Sequence, residues 1–168
     1  MDKANPALFL DRDGVVNRER GEHTWRLEDF EVLPDVAVAV KAAHAAGMVV
    51  VVVTNQSGIG LGLYGHADVE RLHVHLHGQL AVQGTDVDGI YYCPHHPSQG
   101  RCLCRKPGSL LLERAVARFG IDPARSLMVG DRQRDVDAAH AAGIRGVLVE
   151  ANSSLLGTLE NEGMIGCK

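Results

Sequence analysis

The sequence predicts an α/β chain built on a doubly wound parallel sheet. Short β-type runs alternate with helical patterns, one of those runs is apolar at nearly every position, and polar clusters follow the runs. A strand without a polar face is covered on both sides, as central strands of parallel sheets are. Strand–helix alternation implies right-handed crossovers, and such sheets bind ligands beyond the carboxyl ends of their strands.

The first run, ALFL at 7–10, stops at two aspartates and a glycine, Asp11, Asp13 and Gly14. A helical pattern over 35–46 leads to GMVVVVVTNQSG at 47–58, too β-branched for a helix and too apolar for a half-exposed strand. A second helical pattern over 67–83 precedes DGIYYC at 88–93. Helical patterns over 109–119 and 134–142 flank SLMVGD at 126–131, and GVLVE at 146–150 closes the alternation. Gly47, Gly84, Gly120 and Gly143 stand just past the four helical patterns, where a left-handed C-terminal cap is expected. Beyond Val149 the pattern fades, and 151–168 is expected to be a loosely held tail. The whole of 1–168 is read as one domain with an ordered core over about 7–150.

Composition narrows the function. A hydrophobic content of 45% supports one core, and a formal charge of −4 disfavours a general nucleic-acid binder. Aromatic residues at 4% leave few platforms for stacked bases. No apolar stretch has the roughly 20 residues of a membrane span, and MDKANPALFL lacks a signal-peptide pattern. A cytoplasmic, monomeric protein acting on a small phosphorylated metabolite is expected, with neither nucleic acid nor membrane as partner.

The clusters DRDG, TNQSG, CRKPG and GDRQRD should converge on one rim of the sheet. Two carboxylates this close repel each other unless a cation or a chemical task holds them. A carboxylate can attack phosphorus, and a divalent cation then offsets the site's negative charge. Asp11, Asp13 and Asp131 can supply oxygen ligands to Mg²⁺. Thr54 and Asn55 offer donors to phosphate oxygens, with Gln56 and Ser57 beside them, and Lys106 offers a point charge. Arg105 and Arg132 adjoin that machinery and suit a second phosphate.

DRDGVVN, TNQSG, CRKP and GDRQRD, in this order, resemble the motifs of the haloacid-dehalogenase (HAD) superfamily of phosphohydrolases over about residues 7–149. The resemblance implies a HAD-like fold with Asp11 as nucleophile, Asp13 as general acid and base, and Thr54 and Lys106 on the transferring phosphoryl group. It implies Mg²⁺ on Asp11, the Asp13 carbonyl and Asp131, with Asp135 beside these ligands or paired with Lys106. No insertion is long enough for a cap domain, so the protein is expected to be capless, with the loop at 18–29 shaping the pocket.

Three of the four cysteines crowd into CPHHPSQGRCLC, a distribution that suits a metal better than disulfides. Cys93, His95, Cys102 and Cys104 make a tetrahedral Zn²⁺ set, with His96 as the alternative to His95. A zinc loop over 93–104 would stiffen the segment presenting Arg105 and Lys106. Such a loop in a capless HAD protein resembles the heptose 1,7-bisphosphate phosphatases and the histidinol-phosphate phosphatase domains. DGIYYCPHHP and VVVTNQSGIG resemble the former. The short gap between the two ligand pairs resembles the latter, and the helix after RKP starts as GSLL, without the HPG-M element common in the former. The heptose bisphosphate is the favoured substrate and histidinol phosphate the alternative. A non-catalytic zinc-stabilised module and a nucleic-acid 3′-phosphatase complete the field.

Three other features read more plainly. HVHLHG at 73–78 is expected to carry solvated helix histidines, GIGLG at 58–62 a flexible pocket edge, and Cys167 an incidental thiol. Trp25 serves either as a substrate contact or as a loop anchor.

Overall fold

The computed structural model describes residues 4–166, so Cys167 lies outside the described residues. Five parallel strands, β1 (Ala7–Leu10), β2 (Val49–Asn55), β3 (Gly89–Cys93), β4 (Leu127–Gly130) and β5 (Arg145–Leu148), form one sheet in the order β3-β2-β1-β4-β5. Chain order runs outward from β1 in one direction, then returns to its other side at β4. The switch point therefore lies between β1 and β4, which pair Leu10 with Val129.

Strand alternation splits the core into two layers. Leu8, Leu10, Val50, Val52, Leu127 and Val129 face one side with α1 (Val36–Ala45) and α2 (His66–Val82). Ala7, Phe9, Val51, Val53 and Met128 face the other, against α3 (Leu110–Phe119) and α4 (Gln133–Ala141). Val50 to Val53 are wholly buried, as a run of valines with no polar face requires. Among the described residues no cap domain covers the strand ends; the segment between β1 and α1, the turn after β2 and the loop between β3 and α3 rise beside them.

Two expectations are corrected. The tail is not loose as a whole: α5 (Leu155–Asn161) buries Leu155 and Leu159 in the first core layer. Those leucines are four apart and share a helix face, and the Ser154 hydroxyl accepts from the Gly157 amide at the helix start. Asp35 anchors the same turn, accepting from Leu156 N at 2.9 Å and Ser154 Oγ at 2.6 Å. The α2 histidines are not all solvated either. His73 is buried beside Leu72 and Leu76, and its pKa falls to about 3 through desolvation and the nearby Arg12 charge.

The glycine turn after β2, expected as a flexible pocket edge, is tied to the loop beyond β3. Its Gly60 amide donates to Pro94 O at 2.9 Å, and a side chain there would collide with His96 and Gln99. Trp25 stacks on Tyr64 with centroids 5.9 Å apart and planes 13° from parallel, as an anchor of the loop would.

Candidate active site

Asp11 directly follows β1 and Asp131 directly follows β4, so adjacent strands deliver both carboxylates to the switch point. Asp135 comes from the first turn of α4, where its Oδ2 accepts from the Arg132 amide at 3.0 Å and fixes the helix start. Gly130 makes room for it, since a Cβ at that position would stand 2.2 Å from Asp135 Cβ.

Lys106 enters this group wholly buried. Its Nζ donates to Asp11 Oδ1 at 2.9 Å and Val53 O at 2.7 Å. Asp135 Oδ1 stands 2.6 Å away as a charge contact without hydrogen-bond alignment. Burial opposes the ammonium charge, but Asp11 and Asp135 outweigh it and push the Lys106 pKa up. Asn55 sets the approach: its side-chain amide exchanges two hydrogen bonds, 3.0 and 3.1 Å, with the Lys106 backbone. Asn55 thus lines the pocket with its amide already committed.

Asp13 has a different setting. Its Oδ1 accepts from Arg12 Nη2 and Asn17 Nδ2, both at 3.0 Å, and its Oδ2 accepts from Gln56 Nε2 at 3.1 Å. Burial disfavours the Asp13 carboxylate, but Arg12, Asn17 and Gln56 outweigh it and hold the pKa below the usual value. Asp11 goes the other way, to about 7, because burial dominates, helped by Asp135 and Asp13 and opposed by Lys106.

The residues fit a hard divalent cation. Oxygens of Asp11, Asp131 and Asp135 lie within 4.8 Å of one another, and buried Asp131 Oδ2 accepts no hydrogen bond. Arg132 Nε stands 3.5 Å from it. Asp135 Oδ2 is spent on the Arg132 amide and its Oδ1 faces Lys106, while Asp11 commits only Oδ1 to Lys106. Asp11 Oδ2 and Asp131 are therefore the carboxylate oxygens left for a cation. The Asp13 side chain is committed elsewhere, which leaves its backbone carbonyl as the ligand it could give.

A pH signature follows from Asp11. Its folded pKa of about 7 lies above the usual 3.8, so in cation-free protein its stabilising contribution is complete below the lower value and lost as pH rises through the upper. A bound cation takes the proton's place. The rise in Tm given by Mg²⁺ over EDTA should therefore be larger near pH ~8 than near pH ~5.5. A rise of equal size at both would contradict this assignment.

The second metal set lies behind Lys106. His95 Nδ1 is 3.4 Å from Cys93 Sγ and 3.3 Å from Cys104 Sγ, while Cys93 Sγ is 3.1 Å from Cys104 and 3.7 Å from Cys102. Ligand–ligand edges around a tetrahedral Zn²⁺ with such donors are ~3.5–3.8 Å, so the cluster is nearly closed on that size. The described cysteines are unpaired thiols. His96 turns away and accepts from the Ser98 amide at 3.1 Å. One Zn²⁺ per chain should appear in elemental analysis. Cys102→Ala should cost ~4 kcal/mol or more of stability, read by urea denaturation. Asn55 holds Lys106 independently, so that variant should raise KM, through Arg105, more than it lowers kcat.

These groups open on a cleft of about 320 Å³ lined by Thr54, Ser57, Arg105, Arg132 and Arg134 among others. Arg134 was not foreseen, since the position directly before a helix aspartate carries no motif signal. Arg12 was not foreseen either: it is fully buried, holds Asp13 and Thr24 O, and stacks 5.6 Å from the Phe30 ring centre.

Known proteins share this architecture. A family model described as HAD-hydrolase-like matches residues 103–163. The D-glycero-beta-D-manno-heptose-1,7-bisphosphate 7-phosphatase of Escherichia coli K12 is 41% identical over 96% of this chain and 87% of its own. The D-glycero-alpha-D-manno-heptose-1,7-bisphosphate 7-phosphatase of Burkholderia mallei is 40% identical over 83% of this chain and 77% of its own. The B. bronchiseptica D,D-heptose 1,7-bisphosphate phosphatase, solved with magnesium and phosphate, superposes with a TM-score of 0.81 at 34% identity, covering 96% of this chain and 88% of that one. The chain belongs to the HAD-like hydrolase family that contains the heptose-1,7-bisphosphate 7-phosphatases.

Proposed function

We propose that the protein is a Mg²⁺-dependent phosphatase that releases the 7-phosphate of D-glycero-D-manno-heptose 1,7-bisphosphate. The observation that carries the chemistry is the buried cluster at the switch point: Asp11 held 2.9 Å from an ammonium, beside an Asp131 oxygen without a donor. Mg²⁺ held by Asp11, Asp131 and the Asp13 carbonyl would offset the negative charge of the phosphate.

Asp11 forms a bond to phosphorus as the ester P–O bond breaks, and the leaving oxygen takes the Asp13 proton. Water then attacks phosphorus and gives a proton back to Asp13. The Asp11–phosphorus bond breaks, phosphate leaves, and both carboxyl groups return to their starting states. Asp13 in the free enzyme favours its carboxylate form. The arriving phosphate is a like charge beside it and raises its affinity for the proton that the first step needs. Thr54 and Lys106 supply a hydroxyl and a positive charge to the phosphoryl oxygens.

Substrate choice rests on charge. Arg105, Arg132 and Arg134 line one cleft, and desolvation together with the adjacent Arg134 charge lowers the Arg105 pKa. Like charges gathered there favour an anion, such as the phosphate that does not react. A cationic substrate such as histidinol phosphate finds less. The lining holds Glu19 and Glu22 against the three arginines; Glu19 spends Oε1 on the Gly21 amide at 2.6 Å, and Glu28 lies outside the lining beside Arg26. The catalytic groups named above all belong to one chain, so the chemistry needs no partner subunit, and a soluble sugar phosphate supports a cytoplasmic setting.

The test is a panel of both heptose 1,7-bisphosphate anomers, histidinol phosphate and fructose 1,6-bisphosphate. A heptose bisphosphate should lead in kcat/KM by at least about tenfold, or ~1.4 kcal/mol. A tenfold preference for histidinol phosphate would instead establish the alternative.

A further inference from the structure

Gln56 lines the cleft, yet its side-chain amide is almost wholly committed to protein. Its Nε2 donates to Asp13 Oδ2 at 3.1 Å and to Thr54 Oγ1 at 2.9 Å, and its Oε1 accepts from the Tyr64 hydroxyl at 2.9 Å. The residue is 2% exposed. An amide can flip, exchanging donor for acceptor, unless a partner forbids it. Here the Asp13 carboxylate, which can only accept, is that partner, and the buried Tyr64 phenol completes the arrangement by donating to Oε1.

Tyr64 is itself fixed. It packs on Trp25 and meets the His23 ring edge, and Gly58 leaves it space, since a Cβ there would stand 2.1 Å from the phenol ring. With Oε1 receiving the phenol proton, both N–H bonds of Gln56 point at catalytic groups. One ties Asp13 Oδ2 while Arg12 and Asn17 occupy Oδ1. The other makes Thr54 Oγ1 an acceptor on that side. Its own proton has only a 3.4 Å contact to Asn55 O, so it is available to the cleft.

We propose that Gln56, locked by Tyr64, is a positioning residue that aims the proton-transferring oxygen of Asp13 and the hydroxyl donor of Thr54 at the same phosphoryl group. This rests on the phosphatase reading above. It extends that reading from the reacting groups to the device that holds them in register, a chain of contacts running Trp25, Tyr64, Gln56.

The leaving group separates positioning from general damage. An alkoxide leaving from a sugar needs the Asp13 proton, whereas p-nitrophenolate departs with little help. Values of kcat/KM report the steps through that departure. Gln56→Leu should lower kcat/KM about 100-fold on the heptose bisphosphate and no more than about tenfold on p-nitrophenyl phosphate. Tyr64→Phe keeps the ring packing and should move both in the same unequal proportion, by about tenfold on the sugar ester. Equal losses on the two esters in both variants, or activity within about twofold of wild type in Tyr64→Phe, would overturn the proposal. Wild-type turnover tests the substrate reading separately. If the enzyme prefers another alkyl phosphate, the variant ratios are measured on that ester and the same criteria apply.

Discussion

Asp11→Asn abolishes turnover while leaving the fold intact: a fall of roughly 10⁴-fold or more in kcat is expected, about 5.5 kcal/mol of barrier. An amide oxygen is a poor nucleophile toward phosphorus, so no acyl-phosphate forms. The fold survives because asparagine has nearly the same shape and can still accept from Lys106 Nζ, which also keeps Val53 O and Asp135. Phosphate release on p-nitrophenyl phosphate and the heptose bisphosphate, beside a thermal scan, checks both halves. Residual activity within about 100-fold of wild type would remove Asp11 from the nucleophile's place.

Lys106→Met should injure both activity and stability. The ammonium is wholly buried between Asp11 and Asp135, so removing it leaves buried negative charge without its counterion. Breaking a buried pair in this way costs ~3–5 kcal/mol, because the surviving charge remains desolvated. The attraction of Lys106 is the chief force holding the Asp11 pKa down, so the Asp11 pKa rises further once that attraction is gone. Asp11 then keeps its proton to higher pH in the folded state. Its contribution to stability is complete below the ordinary carboxylate range and is lost as pH rises through the new value. Urea denaturation in EDTA should accordingly find a larger loss near pH ~8 than near pH ~5. Activity should fall at least about 100-fold, since the phosphoryl group loses its fixed positive charge. A variant as stable as wild type at both pH values would contradict the buried triad.

Features that repeat over several residues were legible in the sequence. Five consecutive valines leave a strand no polar face, and β2 is buried on both sides accordingly. Carboxylates directly after apolar runs marked the strand ends, and the parallel sheet gathers Asp11 and Asp131 at one crevice. The cysteines could be read from spacing because a metal constrains them jointly, and His95 rather than His96 faces the thiols.

Single residues whose surroundings come from elsewhere in the chain were not legible. Arg12 looks like any charged loop residue, and arginine is rarely fully buried without a partner. Only the fold brings Thr24 O and the Phe30 ring around it. His73 shares its short motif with solvated histidines, and the packing of α2 alone separates them. In α5, seven residues with a glycine inside give too little periodicity to register, and tertiary burial of Leu155 and Leu159 makes the helix. Gln56 looked like a group for substrate because it sits beside Thr54. Its partner Tyr64 lies eight residues on, past a turn whose course the sequence does not specify.

The stereochemical course at phosphorus tests the role of Asp11 most directly. A monoester made chiral with oxygen isotopes would be hydrolysed by the wild-type enzyme and the configuration of the released phosphate determined. Transfer to Asp11 followed by transfer to water inverts the phosphorus twice, so net retention is expected. Net inversion would mean that water attacks the substrate directly, and Asp11 would then be a ligand and not the nucleophile.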